Sequence, residues 1–108
     1  MSINETLVQR QSTHGNFELG ALISQTISQA LRSGSSWHKM SAAQQEALEM
    51  IAHKMARIVN GDPLFIDSVR DIIGYAKLMQ DILERTEGAS DVTNIRKQYS
   101  NGSWQETA

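Results

Sequence analysis

Glu46 and Glu49 stand three residues apart, and Asp67 and Asp71 four apart, so on helices each pair shares one face. Carboxylates that converge between helices repel one another unless a divalent cation sits among them. Mg2+ is the usual occupant, bound by oxygen ligands and sharing its remaining positions with water and phosphate. Such a centre can activate water against a phosphoanhydride. The plainer alternative is electrostatic. Acids near helix starts complement the helix dipole, and Glu46 and Glu49, opposite Leu48, Ile51 and Met55 on a helical wheel, form a solvated face.

Asp71 does not fit that alternative. At roughly 100° per residue it lies within about 40° of Tyr75, Leu78 and Ile82, on an apolar stripe. A lone charge buried there is expensive, so Asp71 is expected to have a partner. Lys54 or Arg57 is the ordinary choice and a metal ion the other. A second stripe, Val69, Ile72, Ala76, Met79 and Leu83, predicts that this helix is covered on two sides. Gly74 costs about 1 kcal/mol relative to alanine in mid-helix, which points to close helix approach or to room for a ligand. His53 shares a face with Glu46 and Glu49 and could orient an acid or touch a phosphate. Lys54 and Arg57 suit phosphate recognition or a salt bridge to Asp67 or Asp71. His14, His38 and His53 have no metal-ligand spacing among them.

The elements that position these residues are helical. Ser2-x-x-Glu5 has the form of a capping box and predicts a short helix over about 3–11. Ser12 to Asn16 reads as a break. A second helix over 17–32 carries Leu19, Leu22, Ile23, Thr26, Ile27 and Ala30 on one face, with Gly34 at its end. After a break through Trp37 to Met40, Ser41-x-x-Gln44 opens the clearest helix, striped by Ala47, Leu48, Ile51, Met55, Ile58 and Val59. Asn60-Gly61 ends it. Asp62 as cap and Pro63 in the first turn predict a restart, and the last long helix is expected to run to about Glu87, where Gly88 stops it. A start nearer Asp67 would leave the loop from Asn60 to Ile66 as slack for the two acid pairs to approach. The short connection makes 41–86 an antiparallel hairpin.

The expected fold is therefore all-α, a small bundle of three to four main helices around that hairpin. Residues 1–88 form the helical domain. Residues 89–108 form a C-terminal extension, with a short helix after Ser90 or Asp91 carrying Val92, Ile95 and Tyr99, then a mobile tail from Asn101. The 108 residues suffice for one modest core. A net charge of −2 without a basic run argues against nucleic acid. The absence of cysteine removes disulfides, thiolate metal sites and thiol nucleophiles. No apolar stretch is long enough to span a membrane. The first residues lack the features of a signal peptide, so the cytoplasm is the expected compartment.

Glu46-Ala47-Leu48-Glu49, His53-Lys54-x-x-Arg57-Ile58 and Asp67-x-x-x-Asp71-Ile72-Ile73-Gly74-Tyr75-Ala76, with Thr13-His14-Gly15-x-Phe17 upstream, resemble a group of phage and prophage proteins of unassigned function. The resemblance covers most of residues 10–85. That group in turn resembles the all-α nucleoside triphosphate pyrophosphohydrolases of the MazG and dUTPase-like superfamily. Their acids follow Glu-Glu-x-x-Glu and Glu-x-x-Asp patterns and hold Mg2+ in a four-helix unit, usually a dimer or larger assembly. Glu46, Glu49 and Asp71 match three of those acids, while Gln45 and Ser68 stand where two others belong and Asp67 is one residue displaced. The resemblance implies catalysis by Glu46, Glu49 and Asp71, with Mg2+ on Glu46, Glu49, Asp67 and Asp71. It implies nucleotide binding by His14, His53, Lys54, Arg57 and Tyr75, the Thr13–Phe17 element lining the base pocket. A homodimer or higher homo-oligomer is expected. The alternative is a catalytically inactive phage accessory protein, in the host cytoplasm, that binds a host or phage protein.

Overall fold

A computed structural model describes residues 2–93, and side chains as far as Thr86. Four α-helices follow in order: α1 Ile3–His14, α2 Phe17–Arg32, α3 Ala42–Asn60 and α4 Ile66–Thr93, with a 3-10 turn Trp37–Lys39 before α3. The described residues contain no strand, as the all-α expectation requires. No helix is long and apolar enough to cross a membrane among them.

The capping signals act where they are written. Ser2 Oγ accepts from Glu5 N–H at 3.1 Å while Glu5 Oε1 accepts from Ser2 N–H at 2.7 Å. Ser41 and Gln44 form the same reciprocal pair at 3.1 and 2.9 Å. Asn16 caps α2 through Leu19 N–H. Each cap satisfies amides that the helix itself leaves free.

Two helix boundaries differ from the sequence expectation and a third settles between its alternatives. α1 continues past Gln11 to His14, because the Ser12 and Thr13 hydroxyls donate back to Gln9 O at 2.7 and 3.2 Å and stay with the helix. Of the two starts open for α4, it takes the later one, at Ile66 beside Asp67, rather than Pro63. Asp62 caps a turn instead of the helix: its Oδ1 accepts from Leu64 N–H at 2.9 Å, its carbonyl from Phe65 N–H at 3.1 Å, and its own N–H donates to Thr13 O at 2.8 Å. Pro63 sits at the second position of that turn, where its fixed φ belongs. Finally, α4 passes through Gly88 without stopping. One glycine costs only about 1 kcal/mol and does not break a helix by itself. Val92 thus lies within α4, whereas Ile95, Tyr99 and the tail from Asn101 lie outside the described residues.

α3 and α4 form the expected antiparallel hairpin, but the helix covered on two sides is α3, between α2 and α4. The reason is side-chain size. Ala47, Ala52 and Ala56 of α3 are buried, with Ser24 and Ser28 of α2 and Ser68 of α4. Small residues at a crossing shorten the distance between helix axes. Trp37, in the 3-10 turn, is the one large side chain in the core of the described residues, its carbonyl accepting from Gln45 Nε2 at 2.9 Å.

Large apolar side chains are left outside. On α2 the packed face centres on Ser24 and Ser28, which turns Leu19 and Leu22 outward. On α3, Met55 and Val59 are exposed, and on α4 so are Val69, Ile73, Leu78 and Leu83. No side chain of α1 is buried, and Ile3, Leu7 and Val8 face solvent.

Candidate functional site

The turn between α1 and α2 is bolted to the end of α3. Gly15 adopts φ +83°, which glycine tolerates and L side chains rarely do. A Cβ there would collide with the Asn60 carbonyl, and one at Gly61 would collide with the backbone of Thr13 and His14. The Asn60 side-chain amide donates to His14 O at 3.3 Å and Asn16 O at 2.9 Å. The His14 ring meets Phe65 edge-on at 5.8 Å and 76°. Its Nδ1 is buried with no hydrogen-bond partner.

This junction places His14 beside the second half of α3, where His53, Lys54 and Arg57 project. His53 Nδ1 lies 3.4 Å from Ser24 Oγ of α2. Burial holds the His14 pKa below its ordinary value, and the positive charges of Arg57, Lys54 and Arg10 lower it further. Burial also lowers that of His53, helped by Arg57 and Lys54. Lys54 and Arg57 are thus close enough to both imidazoles to disfavour their charged forms.

The acids are separated. Lys54 Nζ lies 2.9 Å from Asp71 Oδ2, so Asp71 has the ordinary partner. Glu49 is held by Arg32 at the end of α2, in a two-pronged contact of 2.9 and 3.0 Å. Asp67 pairs with Arg70 at 3.2 Å along its own helix, and Glu46 is exposed. No three histidine, aspartate or glutamate side chains converge on a common point among the described residues. In this arrangement Glu46, Glu49, Asp67 and Asp71 do not fit a shared Mg2+, because three of them already answer three different cationic side chains.

Tyr75 is half-buried one turn beyond Asp71. Phe17 is 83% exposed. A Cβ on Gly74 would meet nothing among the described residues, so close approach of those residues does not explain that glycine. Two shallow hollows, one lined by Leu7, Val8, Gln11 and Ser12, the other by Leu78, Asp81, Ile82, Glu84 and Arg85, involve none of the candidate residues.

Sequence reasoning passed over Arg32 and Phe65, and gave Asn60 no role beyond ending α3. Asn60-Gly61 reads as a helix stop, and only the backbone demand at Gly15 shows that the stop is also a clamp. Compared with models of known families, with characterised proteins and with solved structures, the chain matches none.

Proposed function

We propose that this chain acts by associating with protein, as a helical accessory protein of the phage type it resembles, rather than by chemistry at its acids. One observation carries this reading: small residues fill the core while large apolar side chains stand outside on every helix. A soluble monomer rarely leaves such surface uncovered. α1 sharpens the point. Its 12 residues bury no side chain, and isolated helices shorter than about 12–15 residues are marginal in water. Packing against another chain would supply what the protomer lacks, and homo-oligomers are the commonest form of such packing. Sedimentation of the full chain with and without detergent below its micellar concentration tests this. Assembled particles that dissociate are expected, and monomers throughout contradict it.

A second reading is supported by the junction itself: His14, His53, Lys54 and Arg57 form a cationic group on which a nucleotide phosphate could rest. Charge-assisted bonds from Arg57 and Lys54 would hold it, and Lys54 would first have to share or release Asp71. Mg2+ enters this reading only if Arg32 and Lys54 give up Glu49 and Asp71. Calorimetry with nucleoside triphosphates, each with and without Mg2+, separates the readings. Binding lost in Arg57→Ala supports a phosphate site, and no heat from any of them removes it.

A further inference from the structure

Ile66, Val69, Ile73, Ala76, Gln80 and Leu83 follow one another along α4 at alternating steps of three and four residues. That is the spacing of a coiled-coil seam, in which each side chain inserts between those of a facing helix. All six are exposed, Ile73 at 62% and Ile66 at 54%, so among the described residues none occupies the facing position. The seam lies to one side of the face that packs on α3, and its two edges differ in kind. One edge carries Ile72 and Met79, half-buried toward α3. The other carries Arg70 and Lys77, bonded to Asp67 at 3.2 Å and Asp81 at 2.8 Å.

We infer that a second copy of this chain covers the seam, with the two α4 helices antiparallel about a twofold axis between Gly74 and Tyr75. This rests on the protein-association reading above and names the partner for one face. Size complementarity favours it. An antiparallel pair sets Ile73 against the partner's Ala76, Val69 against the partner's Gln80 and Ile66 against the partner's Leu83. That matches large with small at the centre, fills both ends and places one polar side chain in each intermediate layer. A parallel pair would set Ala76 against itself and leave a void, and voids destabilise a seam. The apolar edge agrees. Antiparallel pairing brings like edges together, so Ile72 meets the partner's Met79 in an apolar flank. On the charged flank Arg70 comes beside the partner's Lys77, and the carboxylates bonded to them within each helix, Asp67 and Asp81, offset that repulsion at an edge open to water. Parallel pairing would press the charged edge on the apolar one. A twofold arrangement also makes the contact self-complementary, as closed dimers require.

The chain contains no cysteine, so introduced thiols report pairing without background. Light scattering of the full chain should give a multiple of the 12.0 kDa chain mass. Ile73→Glu and Val69→Glu should each halve the particle mass while circular dichroism keeps the helical signal. Under mild oxidation the double variant I66C/L83C should form a covalent dimer and I66C alone should not. Efficient cross-linking of I66C alone would overturn the antiparallel arrangement. Unchanged mass in both glutamate variants, with no cross-link in I66C/L83C, would overturn the seam but leave association through another face standing. A monomeric parent chain would overturn both.

Discussion

Lys54 and Asp71 meet at 2.9 Å across the α3–α4 hairpin, the lysine side chain 12% exposed and the aspartate 49%. The asymmetry decides how the pair responds to mutation. Asp71→Asn strands an amine that is nearly out of water, whereas Lys54→Met leaves a carboxylate that can turn to solvent. Asp71→Asn should therefore destabilise by about 1 kcal/mol, less than a fully buried pair would lose because solvent screens its exposed half. Lys54→Met should cost less, and the double variant should recover part of the loss. Urea unfolding of all four proteins measures this, and equal costs for the two single variants would contradict the burial argument.

The clamp at Gly15 and Asn60 should be the most sensitive point in the N-terminal half. Gly15→Ala forces a side chain into a φ of +83° and against the Asn60 carbonyl. A loss of about 2–3 kcal/mol is expected from strain alone. Asn60→Ala leaves the carbonyls of His14 and Asn16 without their donor, for about 1–3 kcal/mol. Thermal melts should show both, and α1 amides should lose hydrogen-exchange protection first. A melt unchanged by Gly15→Ala would mean that the junction is not fixed as described.

The small-residue core predicts an inverted size rule. Ala52 and Ala56 are buried on α3, the helix that packs against both α2 and α4, so Ala52→Leu or Ala56→Leu should cost about 1–3 kcal/mol by overpacking. Adding bulk at Ala43, which is exposed, should be nearly neutral. Denaturant midpoints of these three variants test whether the helices really touch at their alanines.

Acid should weaken the fold before the carboxylates titrate. His14 and His53 are both held below the ordinary value of 6.5, first by burial and then by neighbouring positive charge. Between those lowered values and 6.5 the unfolded chain binds more protons than the folded one, so stability rises with pH. Their contribution is complete above 6.5 and is lost as pH falls through the folded values. The urea midpoint should fall between about pH 7 and 5.5, a range in which most carboxylates stay ionised. His53→Gln should flatten the curve, and a midpoint that rises on acidification would reverse the sign.

Much of this was written plainly in the sequence. Two capping boxes, the Asn60-Gly61 stop and the hairpin are local signals, and local signals survive into the fold. So did the need of Asp71 for a partner, since an acid on an apolar stripe demands one; of Lys54, Arg57 and a metal ion, all open in the sequence, the fold brings Lys54. What did not transfer were matters of distance. Hydrophobic periodicity marks which side chains are apolar but not which of two stripes packs, and it passes over Ala52, Ser24 and Ser28, whose smallness lets helices close. Spacing put Glu49 on a face, yet only the end of α2 shows that Arg32 claims it. The turn at Asp62 escaped for a similar reason: its amide is taken by Thr13, a residue about fifty positions upstream, and no local rule sees that.

The mass of the particle in solution bears most directly on the central claim. Light scattering of the full chain at micromolar concentration should report a dimer or larger assembly, because the exposed side chains of α1, α2 and α4 need a protein surface to cover them. A single species at the 12.0 kDa of one chain, unchanged on further concentration, would contradict it.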